Sequence, residues 1–181
     1  MYKRIKQALG KPISGKVLSI SSLRTFRRAV PISDKAEITE VDYPKVNMQK
    51  LPFPDNTFDF VISDQVLEHI EGDAQKAIDE SYRVLKPGGI AIHTTVFMNL
   101  IHWGPKDMWR FSPDALKYLC RRFSEIIQCE GWGNRLAHII FLIYNKSRDW
   151  QIPERKLSIL HFLATRNNEK YPLLTWIIAK K

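Results

Sequence analysis

The chain has 181 residues, 44% hydrophobic and 26% charged, with a formal net charge of +9. That length suits a single domain with a real core, and the composition is that of a soluble globular protein. No run approaches the roughly 18 to 20 apolar residues of a membrane span, and the basic start MYKRIKQALGKP has no apolar stretch behind it that would make a signal peptide.

Residues 1–15 predict a short leading helix closed by Gly10 and Pro12. Lys16 to Ile20 is a first strand, broken by Ser19, Ser21 and Ser22 into a loop, and Leu23 to Val30 gives one or two helical turns. After a turn at Pro31 and Asp34, Ala36 to Val41 is a second strand ending at Asp42 and Pro44. Val46 to Gln49 is a short third strand or an extended link. A second turn (Pro52, Pro54, Asp55, Asn56) precedes Phe58 to Ser63, which is apolar on both faces like a strand in a covered parallel sheet. Asp64, Glu68 and His69 follow its carboxyl end, where open α/β sheets bind ligands.

Ala74 to Leu85 has helical periodicity, with Asp73 as N-cap and Gly88-Gly89 as a stop. Ile90 to Phe97 is the next strand. Residues 98–111, MNLIHWGPKDMWRF, are too rich in His, Trp, Pro and Asp for a plain crossover. Ser112 caps a helix that has Pro113 in its first position. Glu125 to Cys129 is a strand, Gly131 to Gly133 a turn, residues 135–165 helical, and Leu173 to Ala179 a last strand. Strands alternating with helices imply an α/β fold with a mostly parallel sheet and right-handed crossovers.

Three stretches occur in one order: LPFPDNTFDFVIS, then LEHI, then RVLKPGG at Arg83 to Gly89. Together they resemble the class I S-adenosylmethionine-dependent methyltransferases, closest to the type 11 group. The resemblance covers about residues 15–133 and the final LTWIIAKK. It implies a compact Rossmann-like fold: a seven-stranded sheet with the last strand antiparallel and helices on both faces. It also implies S-adenosylmethionine as cofactor. The whole chain, 1–181, is expected to form one domain, with residues 135–170 as a helical insertion or lid before the last strand.

The resemblance also assigns roles. In the family, the first strand ends in an acid followed by a glycine-rich loop, where backbone approaches the cofactor closely. Here Ser19 replaces the acid, and Ser21, Leu23 and Thr25 replace the glycines. Each carries a Cβ that disfavours positive φ. Asp42 matches a ribose-binding acid, Asn47 the partner of the adenine amino group, and Met48 lies beside the adenine plane. Asp64 and Gln65 match the methionine end of the site, while Glu68 and His69 open the following helix in a mainly structural role. His102, Asp107 and Arg110 fall on the acceptor side. An imidazole there could take a proton from the acceptor, and a guanidinium could pair with its carboxylate or phosphate. The bland alternative is a structural loop in which Arg110 is bonded to Asp107 with Trp103 and Trp109 buried.

Cys120 and Cys129 form neither a disulfide framework nor a metal spacing, and no metal ligands are assigned. Reduced structural cysteines in a cytoplasmic protein are expected. The positive charge favours acidic partners, but it is spread along the chain without a nucleic-acid motif, so a solvated basic surface is expected and nucleic acid is not. The apolar stretches within 135–165 serve as a lid, a self-association face, or an element touching anionic membrane beside a lipid-linked substrate. The resulting expectation is methyl transfer to an oxygen or nitrogen of a small-molecule or saccharide-like acceptor. Two alternatives stand beside it: a methyltransferase-like pseudoenzyme or binding module, and an RNA methyltransferase.

Overall fold

The computed structural model describes residues 1–102, 104, 106–143, 161–162 and 166–181. Six strands form one sheet among these residues: β1 (Lys16–Ile20), β2 (Glu37–Val41), β3 (Phe58–Asp64), β4 (Leu85–Val96), β5 (Glu125–Trp132) and β6 (Leu174–Lys180). Their order is β2-β1-β3-β4-β6-β5. The first four pair in parallel, and β6 lies antiparallel between β4 and β5. The seven-stranded expectation is therefore corrected to six. Val46 to Gln49 turns instead of extending, because the Asn47 side-chain carbonyl accepts from the Gln49 amide at 2.8 Å. Such a local bond offers the backbone an alternative to a ladder.

Helices cover both faces. On one side, α1 (Tyr2–Leu9) and α2 (Arg24–Arg27) deliver Ile5 and Phe26 to a core with Val17, Ile62, Ile92 and Trp176. On the other, α3 (Ala74–Val84) and α4 (Pro113–Leu119) pack Ala77, Ile78 and Leu116 against Leu18, Val61, Ala91 and Ile177. Alternation along each strand divides the two cores, as a period of two requires. The caps match the sequence expectation: Asp73 accepts from the Gln75 and Lys76 amides, and Ser112 from Ala115. Helix α3 stops at Val84 and the chain passes directly into β4, so Lys86 to Gly89 enter the sheet.

Gly131 to Gly133 do not form the expected turn. Gly131 pairs with Thr175 in the β5–β6 ladder, and a Cβ there would stand 2.7 Å from the Pro172 Cβ. Glycine serves close approach of the 171–173 segment here. Beyond β5 the structure describes α5 (Arg135–Ile143). Lys146, Arg148, Arg155, Lys156 and most of LSILHFLA lie outside the described residues. Among the described residues, no helix is long and apolar enough to cross a membrane.

The first and third motif stretches meet through Arg83. Its guanidinium donates to the Leu51 and Phe53 carbonyls at 3.0 and 2.7 Å, to Asp55 at 2.8 Å, and to Glu80 at 2.7 and 2.8 Å. Glu80 in turn accepts from the Leu51 amide at 2.8 Å. This network locks the 51–56 turn against α3 and so sets the entry of β3.

Candidate active site

The strand order reverses about β1, whose neighbours are β2 and β3. The crevice at the carboxyl ends of strands beside such a reversal is where α/β sheets bind ligands. A cleft of about 230 Å³ lies there. Ile20 and Ser21 supply the β1 side, Asp42 to Gln49 the β2 side, and Gln65 to Glu71 the β3 side, with Gly104 from the distant loop. The volume is small against the roughly 300–1,000 Å³ of clefts for drug-sized ligands, and it suits the nucleoside portion of a cofactor.

Four of the seven cofactor residues expected from sequence line this cleft fully in the β1–β2 half: Ser21, Asp42, Asn47 and Met48. Gln65 lines its β3 side. Ser21 stands at φ 73° despite its Cβ, and Gln65 at φ 59°. Ser21 thus adopts the conformation that a Cβ disfavours. Its amide donates to the Val41 carbonyl at 2.7 Å, and its own carbonyl accepts the Ser19 hydroxyl at 2.8 Å. These two bonds hold the backbone where a glycine would sit without strain. Ser19 is buried and acts behind the loop. Gln65 is fixed to Thr94, its amide and side-chain nitrogen both reaching the Thr94 hydroxyl at 3.1 and 3.0 Å.

Asp64 does not line the cleft. Both its carboxylate oxygens accept from the Tyr2 hydroxyl, at 3.0 and 2.9 Å, and one also from Thr94 at 2.6 Å. Burial pushes its pKa up, and the Thr94 and Tyr2 hydroxyls pull against that. The Tyr2 phenol is pushed up as well, by burial first and then by the carboxylate.

The three acceptor-side residues form a cluster of their own. Arg110 holds both Asp107 oxygens, one at 2.7 Å, and its guanidinium keeps that carboxyl well below the usual range. The ion pair matches the bland alternative for Arg110. Asp107 also accepts from the His102 amide at 3.0 Å and faces His102 Nδ1 at 3.2 Å. Trp109, expected buried in that alternative, is 37% exposed, while its indole N–H donates to the Ile70 carbonyl at 2.8 Å. Trp103 lies outside the described residues.

Other residues were not singled out from sequence. Tyr43 and Glu71 line the cleft, as does Gln49, which also bridges the Glu71 carbonyl (2.7 Å) and the Asp73 amide (3.0 Å). A long polar side chain in an ordinary loop gives no signal of such bridging. His69, read as structural, lines the cleft, and its ring meets that of His102 edge to face at 5.0 Å. Glu68 is fully buried under it, and burial raises its pKa against the pull of its hydrogen bonds.

The model of the methyltransferase domain family, type 11, matches residues 3–93, half of the chain. The ubiquinone/menaquinone biosynthesis C-methyltransferase UbiE of Enterobacter sp. (strain 638) is 46% identical over 52 residues, 29% of this chain and 20% of that protein. Its counterpart in Escherichia coli (strain K12 / DH10B) is 48% identical over 52 residues, with the same 29% and 20% shares. The chain thus spans about a fifth of the length of these curated relatives. Among solved structures, a putative methyltransferase in complex with the Haloferax volcanii Trm112 activator superposes with TM-score 0.60 at 16% identity, over 99% of this chain and 89% of the other. A SAM-dependent methyltransferase from Aquifex aeolicus gives 0.59 at 12% identity, over 99% and 88%. At such identities the likeness concerns the fold. The sheet order, the cleft beside β1 and the family match agree, and the chain belongs to the type 11 family of class I methyltransferases, whose cofactor is S-adenosylmethionine.

Proposed function

We propose that this protein transfers a methyl group from S-adenosylmethionine to an oxygen or nitrogen of a small-molecule or saccharide-like acceptor. The observation that carries this reading is the cleft at the carboxyl ends of β1 and β3, with Ser21 and Gln65 held at positive φ on its two sides. The residues present fit the nucleoside half. Asp42 offers carboxylate oxygens to ribose hydroxyls, and Asn47 suits the adenine amino group. Met48 and Ile70 supply apolar wall for the base. Ser21 and Gln65 bound the methionine end, with Ser19 and Asp64 behind them. When bound, the cofactor supplies an electrophilic methyl group, and alignment of donor and acceptor supplies much of the rate. A hydroxyl or amine acceptor must also lose a proton, and His69 and His102 are the basic groups on that side.

A carbon acceptor is the second reading, favoured by the name of the UbiE relatives, which are C-methyltransferases. Isotope-labelled methyl in the product separates the two: an ether or amine methyl supports the first reading, a carbon-bound methyl the second.

Calorimetry with S-adenosylmethionine tests the foundation. Binding is expected, and Asp42→Ala should weaken it by roughly 1–3 kcal/mol, the scale of a hydrogen bond to a charged group. No heat at high cofactor concentration would replace the enzyme reading with the binding-module one. An RNA methyltransferase would instead show RNA affinity falling steeply with salt.

A further inference from the structure

Glu68, His69 and His102 converge beside the cleft from two separate segments. Glu68 and His69 lie on the 3-10 turn Leu67–His69 after β3, and His102 comes from the segment after β4. One ligand-capable atom of each lies within 4.8 Å of the others. The convergence is built in. The Met108 and Trp109 amides donate to the Glu68 carbonyl at 2.8 and 3.1 Å, fastening the loop to the turn.

The hydrogen bonds assign each donor atom. His69 Nδ1 faces the Lys106 carbonyl at 2.5 Å. A carbonyl only accepts, so Nδ1 carries the hydrogen and the neutral ring keeps its lone pair on Nε2. His102 Nδ1 faces two acceptors, the Leu100 carbonyl at 3.3 Å and Asp107 at 3.2 Å, which fixes the same tautomer. Asp107 is itself held by Arg110. Glu68 Oε2 accepts the Thr95 hydroxyl at 2.9 Å, whereas its Oε1 is buried and has no hydrogen-bond partner among the described residues. A buried carboxylate oxygen without a partner is costly, and a cation removes that cost.

We propose that Glu68, His69 and His102 hold a divalent transition-metal ion of the zinc kind at the wall of the cleft. Asp107 and the Lys106 carbonyl orient the two imidazoles, as carboxylates and carbonyls do behind metal-bound histidines. Two imidazoles and one carboxylate match the donor set of catalytic zinc and leave a fourth position open. Magnesium and calcium prefer all-oxygen shells, so two imidazoles select against them. Zinc bonds of about 2.0–2.2 Å in a tetrahedron set donors roughly 3.3–3.6 Å apart. The three side chains must draw closer to close the site on an ion.

The ion's role rests on the methyl-transfer reading, but its binding does not. His69 lines the cleft, so the open position is available to an acceptor hydroxyl. The Lewis acid would acidify that hydroxyl, whose proton leaves to water. The oxygen then bonds to the methyl carbon as the carbon–sulfur bond breaks, and the electron pair departs with sulfur as a thioether. Both imidazole lone pairs are engaged on the ion, so neither histidine acts as the base in the loaded protein.

The test uses the full chain stripped with a chelator. Zn²⁺ is titrated by calorimetry and Co²⁺ by visible absorption, with S-adenosylmethionine binding measured in parallel. One equivalent of metal is expected. His69→Phe and His102→Phe should each weaken it more than roughly 100-fold, and the positioning variant Asp107→Asn by roughly 10- to 100-fold. Cys120→Ser and Cys129→Ser should leave it unchanged. Glu68→Gln should also abolish binding, but that buried variant can fail to fold, so the two histidine variants carry the result, with circular dichroism as the check. Absent uptake, or uptake unchanged in both histidine variants, overturns the site. Site-dependent uptake in a protein that does not bind the cofactor upholds the site and overturns only its role in methyl transfer.

Discussion

Ser21 occupies a backbone conformation that costs a residue with a Cβ roughly 1–2 kcal/mol. It does so at φ 73°, held by the Val41 and Ser19 bonds. Neither bond uses the Ser21 side chain. Ser21→Gly should therefore stabilise the fold by about 0.5–1 kcal/mol, the strain relieved less the added entropy of the unfolded glycine. Denaturant unfolding of the two proteins measures the difference. Ser21 in place of a glycine was legible in sequence, but its conformation was not, because it depends on hydrogen bonds to Val41 in β2 and from Ser19 in β1. His93 is the other instructive residue. It is fully buried in β4, bonded through Nδ1 to Ser63 at 2.7 Å, and burial lowers its pKa from 6.5 to about 4. Between those values the unfolded chain binds a proton that the folded chain refuses. The neutral ring's contribution is complete above pH 6.5 and is lost as pH falls toward 4, about 3 kcal/mol in all. Stability curves of wild type and His93→Gln, measured from pH 7 to 4, should differ by that slope.

At the scale of elements, the motif stretches show why certain segments are readable. Arg83 grips the 51–56 turn through two carbonyls and a carboxylate, so the turn and the end of α3 constrain one another. A planar fork reaches all of these at once and an ammonium cannot. Arg83→Lys should destabilise by about 2 kcal/mol, seen as a lower denaturant midpoint with unchanged slope. Strands β1, β3 and β6 and helix α3 were legible to within a residue or two, because apolar period and caps act locally. The turn expected at Gly131 failed because those glycines answer to Pro172, about forty residues away, rather than to their neighbours. The histidine cluster was equally hidden. His69 and His102 stand 33 residues apart, and bonds such as those from Met108 and Trp109 to Glu68, which no local pattern announces, bring them together.

For the whole molecule, the sheet supplies a rigid frame and the cleft draws its lining from loops at one edge of it. Alternation of strands and helices sufficed to give the class of fold, whereas the antiparallel β6 followed from resemblance alone. Its reason is physical: Trp176, Ile177 and Ile178 are fully buried between β4 and β5, so the last strand completes the core from within the sheet. The bond between Tyr2 and Asp64 links this frame to α1 across its cofactor side. Asp64 lies outside the cleft lining and is held by Tyr2, so a ligand that calls on this carboxylate must compete with the bond to the helix. Any ligand that needs Asp64 meets it only in the fraction of molecules where Tyr2 has let go, and its apparent affinity is reduced by that fraction. Tyr2→Phe keeps the edge-to-face packing on Phe26, 5.8 Å between centroids, while releasing Asp64 to Thr94 alone. One lost hydroxyl should then move two measurements in opposite directions. The melting temperature falls, by the equivalent of about 1–2 kcal/mol, and, if the cofactor takes up the freed carboxylate, S-adenosylmethionine binds several-fold more tightly. The helix that steadies the resting protein would then act as a tax on any ligand of Asp64, set by a single oxygen.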